Sequence, residues 1–274
     1  MAPESSATPD QRLLAAVEAS PRAVAVHDRA AWVGLFTADA TVNDPVGSAP
    51  HTGHQAIGRF YDTFIGPNTI EFQVDRDMIH SAVNTVVRDL TLRTTMSTGA
   101  TIIVPMHLRY QLVEREGEWK IAQLAAHWEL AGMIVQLLRT GLPGLAASAK
   151  LGPQLIANLG VGGAAGMLRG LFGVGRAGKR ATDRLFHAAT EAETDRVRDL
   201  LHTDAVLEIP VGTKVSVEEF TAKAAHLRWD KVIAAGRSVS TSIRLGPTGG
   251  VALLEFDKGT TKVTALRVFL DSES

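Results

Sequence analysis

Cysteine is absent from the 274 residues. That removes disulfides, thiolate nucleophiles, iron–sulfur ligation and cysteine-bound zinc together. Aromatic residues make up only 5% of the chain and tyrosine occurs twice, so few groups could act as a phenolic donor. An excess of charge is also missing: the net charge is −1. Nucleic acid is therefore not expected as a partner, because counterion release needs a concentrated basic surface. No uncharged apolar run reaches the ~18 residues that span a bilayer without heavy glycine interruption. The opening MAPESSATPDQ has neither a basic nor an apolar signal region, and a cytoplasmic location is the expectation. The nine histidines show no HExxH or similar spacing, and His51 and His54 lack a nearby third ligand. No metal and no cofactor are expected.

What is present is core: 45% of the residues are apolar. Their distribution is uneven. Leu130–Thr182 contains no acid, six basic residues and 12 of the 25 glycines. Such a shift marks a connector, but MIVQLLRTGLPGL and LGPQLIANLG carry apolar residues at helical spacing. The flanks of this stretch resemble each other. LFTADATVNDPVG (35–47) and LLHTDAVLEIPVG (200–212) each follow a helical pattern and precede another, at His54–Phe64 and Val217–Leu227. The spacing of about 165 residues implies a duplicated unit and not a solenoid. The boundaries read from this pattern are 1–129 for the first unit, 130–180 for a helical connector, and 181–274 for the second.

Thr8-Pro9-Asp10-Gln11 reads as an N-cap with proline at the first helical position and a capping-box glutamine. Ser20-Pro21 reads as a restart of that helix, and Asp28 as the cap of a further stretch through Phe36. A short strand over 40–43 ends at Asp44-Pro45. After the next helix come alternating stretches, among them ATIIVPMHLRYQLVE and KIAQLAAHWEL across the turn REGEW. In the second half, helix Thr182–His202 precedes strand Val206–Ile209, with strands near Val232–Leu245, Val251–Phe256 and Val263–Leu270. The order predicts an α+β fold: two tandem cones, each a curved antiparallel sheet wrapped around helices, with room for a pocket.

Asp44-Pro45-Val46-Gly47-Ser48 followed by Pro50, Gly53, Ile57 and Phe60-Tyr61 resembles the ketosteroid isomerase, SnoaL-like branch of the nuclear-transport-factor-2-like (NTF2-like) superfamily. The resemblance is good over roughly residues 20–130 and weak over 181–274. It implies that Asp44 shuttles a proton between two carbons of a ring ketone while hydrogen-bond donors hold the enolate oxygen. That scheme is an established example of pKa tuning. It agrees with what an acid held on a buried strand end by a following proline can do.

The remaining family positions are less well matched. Aligned without a gap, the catalytic tyrosine falls on Ser20, a shorter and weaker acid. Tyr61 matches a second pocket tyrosine of some members and is the expected oxyanion donor. The strand VPMHLRYQL has no acid. Either His107 or Met106 takes the acid's place, depending on the alignment. Alternation puts Met106, Leu108 and Tyr110 on one face and His107, Arg109 and Gln111 on the other, so His107 faces a pocket only if a bulge shifts the register. The catalytic set expected is Asp44, Tyr61 and His107. Phe36, Phe60, Met106, Tyr110 and Trp128 are expected to bind substrate.

Epoxide-opening relatives pair an Asp44-type acid with a second one, and Glu71 is the candidate, although in TIEFQV it alternates with Ile70 and Phe72. In the second unit Ile209 stands where Asp44 does, and Glu208 is one residue out of phase, which implies architecture without catalysis. Gly173–Lys179 approximates a phosphate loop, but Arg180 stands where Ser or Thr should hold magnesium, and no strand precedes it. The expected ligand is apolar, steroid- or polyketide-like. A non-catalytic steroid or lipid carrier, or a SnoaL-like cyclase or epoxide-opening enzyme, are the alternatives. A homodimer or an internal pseudo-dimer is expected. The connector is expected to pack on the protein near the pocket entrance or at a dimer interface, and not on a membrane.

Overall fold

The computed structural model describes residues 7–142, 144, 149, 162 and 165–271. Helix α1 (Pro9–Ala25) opens on a capping box: the Gln11 amide donates to the Thr8 hydroxyl at 3.2 Å and Thr8 N–H donates to Gln11 Oε1 at 2.9 Å. The expected restart at Ser20-Pro21 does not occur, and Pro21 lies inside the helix. Leu13, Val17, Ser20 and Val24 form one buried stripe. Its burial carries the helix through the hydrogen bond that proline cannot make. Asp28 caps α2 (Arg29–Gly34), its Oδ1 accepting from the Ala31 amide at 2.8 Å. That helix stops short of Phe36, which begins strand β1 (Phe36–Asn43).

The short β2 (His51–Thr52) and α3 (Gly53–Phe60) follow, then four long strands: β3 (Asn68–His80), β4 (Thr85–Met96), β5 (Thr101–Arg115) and β6 (Glu118–His127). β5 and β6 are joined through Glu116 and Gly117, both at positive φ, as a tight primed turn requires. The sheet order is β2-β1-β6-β5-β4-β3. β3 to β6 are antiparallel, while β1 runs parallel to β6 because the chain crosses over between them.

The second unit repeats this path. Its long helix α5 (Gly175–Thr190) starts inside the stretch read as connector, since Val174 and Gly178 are buried in the second core. Ala192 at φ 57 separates α5 from α6 (Thr194–Leu200), so the single helix expected over 182–202 is two. Then come β7 (Leu201–Glu208), α7 (Val217–Lys223), β8 (Leu227–Ala235), β9 (Ser238–Leu245), β10 (Thr248–Phe256) and β11 (Val263–Leu270). A turn at Gly236 splits the expected strand near 232–245 into β8 and β9. The order β7-β11-β10-β9-β8, with β7 parallel to β11, matches β1-β6-β5-β4-β3 strand for strand. Asp44-Pro45 and Ile209-Pro210 are both cis.

The two sheets pack back to back. Met78 and Val87 of the first meet Val251, Leu253 and Phe269 of the second in a common apolar cluster. Beside it lies a buried polar seam. Asp89 accepts from Lys231 Nζ at 2.5 Å and from the Ser242 hydroxyl at 2.6 Å. The units also touch through backbone at Gly47, the glycine of DPVGS. It sits at φ 95, and a Cβ there would lie 2.4 Å from Gly236 Cα. Strain and overlap add at this position. Gly47→Ala is expected to lower stability by more than about 2 kcal/mol, read from urea midpoints.

Among the described residues, the first part of the connector packs on the first unit. α4 (Leu130–Arg139) buries Leu130 and Leu137 in the first core. Gln136 clamps both backbone groups of Ile103 on β5, its Nε2 donating to the carbonyl at 3.1 Å. Further on, Gly166 O accepts from Ala49 N–H at 3.0 Å. The helix expected within LGPQLIANLG lies outside the described residues.

Candidate active site

Asp44 is placed by the loop that follows β1. Ser48 Oγ donates to Pro45 O at 2.6 Å, Asn43 Nδ2 donates to Ser48 O at 2.9 Å, and Val46 N–H donates to Ala126 O on β6 at 2.8 Å. These bonds leave the Asp44 side chain directed at a cavity of about 150 Å³ enclosed between α1, α2, α3, α4 and the concave face of β3 to β6. Asp44 is half-buried and lines this cavity. Among the described residues, it is the one ionisable acid or base on the wall apart from the phenol of Tyr110. Burial pushes its pKa up to about 6, against the opposing effect of a hydrogen bond from Trp128 Nε1 at 2.5 Å.

The wall is otherwise almost wholly apolar. Phe60, Met106, Tyr110 and Trp128 line it, as do Phe64, Phe72, Leu92, Ile102 and Leu124. Phe36 does not. It is buried one layer back, 4.8 Å from the Trp32 ring, so its assignment as a substrate contact is corrected to core packing. Four thioethers, of Met96, Met106, Met133 and Met167, also line the wall. Methionine adapts its rotamers at low cost, so such a lining can reshape around a bulkier guest. Met133 and Met167 come from the connector. The helical spacing of Leu130, Met133 and Leu137 could have pointed to the first; no local signal marks the second.

The donors differ from those expected. Tyr61 stands outside the lining: a π-helical turn (Tyr61–Ile65) packs its ring 5.5 Å from Trp32, and its buried hydroxyl has no partner. Tyr61 is therefore corrected from oxyanion donor to core aromatic. Tyr110 is the phenol on the cavity wall. Burial pushes its pKa up to about 12, so its proton stays in place, and Ser20 shares the cavity wall with it. Ser20 in turn accepts from Trp32 Nε1 at 3.0 Å. Tyr110 presents its phenol to the cavity from β5, where the resemblance would place a tyrosine at Ser20 itself.

His107 is also corrected. β5 keeps its register through this point, and the side chain points out of the cone into the seam between the sheets. It is fully buried there, with Nδ1 2.8 Å from Ser240 Oγ and Nε2 3.0 Å from Ser242 Oγ. Glu71 is exposed on the opposite side of β3 from Ile70 and Phe72, which line the cavity. In the second unit, Ile209 and its neighbours Phe186 and Phe220 fill the equivalent space. Among the described residues, no group of His, Asp and Glu has a metal-binding arrangement.

With this geometry in place, comparison with known proteins gives the class. Residues 17–124 match the family model of the SnoaL-like domain, so the first unit is a SnoaL-like domain. Among solved structures, the Δ5-3-ketosteroid isomerase from Mycobacterium sp. is 29% identical over 46% of this chain and 96% of its own, with a TM-score of 0.40. The Mycobacterium tuberculosis protein RV0760c, in complex with estradiol-17beta-hemisuccinate, is 26% identical over 46% of this chain and 97% of its own, with a TM-score of 0.40. No curated protein sequence matches significantly.

Proposed function

We propose that the protein is an isomerase of the ketosteroid isomerase type, acting on an apolar ring ketone such as a steroid or polyketide. The observation that carries this reading is a lone carboxyl, with a pKa near 6, on the wall of an apolar cavity. A base so placed is ionised at neutral pH, yet holds a proton well enough to return it. Asp44 takes the proton alpha to the carbonyl. Tyr110 donates its phenolic hydrogen to the oxygen that gains charge, and Asp44 delivers the proton to the second carbon. Trp128 holds the carboxylate in place, and the apolar wall excludes water that would compete for the proton. The outward-facing Glu71 argues against an epoxide-opening reaction that needs a second acid in the same cavity.

The two tyrosines test the assignment of roles. Tyr110→Phe is expected to lower kcat for isomerisation of a 3-oxo-Δ5-steroid by about 10²–10³-fold, as loss of one oxyanion donor does. Tyr61→Phe is expected to leave turnover unchanged and, by removing an unpartnered buried hydroxyl, to raise stability by about 1 kcal/mol. Equal kinetic effects in the two variants would contradict the role given to Tyr110. Saturable steroid binding without turnover in the native protein would leave a carrier in place of an enzyme.

A further inference from the structure

The connector has a second face. On α4, Val135 and Leu138 share one helix side and are 47% and 52% exposed, and Leu142, beyond the helix end at Gly141, is 81% exposed. The opposite side carries Leu130 and Leu137 into the core. Across a cleft shared with Val135 and Arg139, the segment 168–172 presents Leu168, Leu171 and Phe172 at 53%, 41% and 77% exposure. These six are most of the large apolar side chains that the described residues leave exposed, and all belong to the connector. An accumulation of this kind on a folded surface marks a binding face.

Charge identifies the partner. Arg139 and Arg176 line the same cleft, Arg169 lies within the segment 168–172, and none of the three forms an ion pair among the described residues. No acid occurs between Leu130 and Thr182, and the flanking Glu129 is already paired with Lys179 and the Ala234 amide. Exposed Leu and Phe beside unpaired arginines, with acids excluded, complement an anionic bilayer surface: the apolar groups enter the acyl boundary while the guanidinium groups meet lipid phosphates. No helix among the described residues is long and apolar enough to cross a membrane, so contact would be interfacial.

Against the expectation from sequence that the connector packs on the protein alone, we infer that this face docks the protein on anionic lipid membranes. The inference goes beyond the catalytic proposal and does not depend on it. Its geometry does have a consequence for access, because Met133 of α4 and Met167, next to Leu168, cover the cavity. Docking sets that cover against the lipid, where apolar compounds partition.

The test is co-sedimentation of the full chain with vesicles of phosphatidylserine and phosphatidylcholine in equal parts, and with phosphatidylcholine alone. Binding to the anionic vesicles only is expected. It should weaken about a hundredfold in the triple variant Arg139→Gln, Arg169→Gln, Arg176→Gln, and at least tenfold in Leu138→Gln, Leu171→Gln, Phe172→Ser, with circular dichroism unchanged in both. These are exposed positions, none of which lines the cavity. Failure of the native protein to sediment with anionic vesicles would overturn the inference. So would binding that both variants retain. Sedimentation velocity covers a competing occupant: a native dimer that the apolar variant dissolves, without vesicle binding, would assign the face to a second copy of the chain and overturn it as well.

Discussion

Asp44→Asn is expected to reduce isomerisation of a 3-oxo-Δ5-steroid by about 10²–10⁴-fold, the range for loss of a positioned general base. Asparagine keeps the shape and can still accept from Trp128, so the loss isolates the proton transfer from the packing. In the native protein, kcat is expected to rise as pH passes through about 6, where Asp44 gives up its proton, and to level off above. The same group bears on stability. Its pKa is higher folded than unfolded, so between about pH 4 and 6 the native state binds more protons and stability falls as pH rises. Above pH 6 the full penalty is in place, up to about 3 kcal/mol less what cavity water returns. Asp44→Asn is therefore expected to be more stable than the native protein at pH 7 and to lose that advantage below pH 4. Equal urea midpoints for the two proteins at pH 7 would mean that Asp44 is well solvated, and would remove the reason for its raised pKa.

The second large effect concerns the seam between the sheets. His127, at the end of β6, is buried beside Arg109 and His107, with Nδ1 3.3 Å from the Ser238 hydroxyl. Burial, reinforced by Arg109 and His107, pushes its pKa down to about 3. Burial also lowers that of His107, against the attraction of Asp89 3.5 Å away. Both rings are neutral in the native state at pH 7. As pH falls below about 6.5 the unfolded chain takes up protons that the folded chain refuses, so stability declines with falling pH. From His127 alone the loss is on the order of 1.4 kcal/mol for each pH step and approaches about 5 kcal/mol near pH 3. Asp89 adds to it at the acid end, because its partners hold its pKa well below the ordinary range and that stabilisation is lost as it protonates. Urea midpoints between pH 7 and 4 are the measurement. His127→Gln is expected to be less stable than the native protein at pH 7 but to have a flatter pH profile by about one proton. An unchanged slope would show that His127 is already protonated in the folded protein.

Much of this architecture is legible in the chain because it rests on local chemistry. Thr8 and Gln11 close a capping box whatever surrounds them. Glu116-Gly117 makes a tight turn, and alternation along β5 sorts Met106, Leu108 and Tyr110 from His107 and Arg109. Asp44, Phe60, Met106, Tyr110 and Trp128 all reach the cavity wall. The helix interrupted at Pro21 was misleading because proline's local penalty is visible in sequence, whereas the tertiary burial that overrides it is not. Tyr61 was misleading for a related reason. It follows Phe60 directly, and a single π-helical turn decides which of the two rings faces the cavity.

The sequence by itself determined the repeated α+β order, the DPVGS loop and the absence of acids across the connector, since each is a matter of residue type and short-range spacing. Tertiary structure alone decided which phenol and which hydroxyl share the cavity wall. Tyr110 and Ser20 are 90 residues apart, and only the packing of α1 against the sheet brings them together. It also decided the fate of His107. The second sheet covers the face to which that side chain points, and Ser240 and Ser242 supply polar partners from 133 and 135 residues away. A buried polar group must find such partners, but nothing in the neighbouring residues states where they will come from.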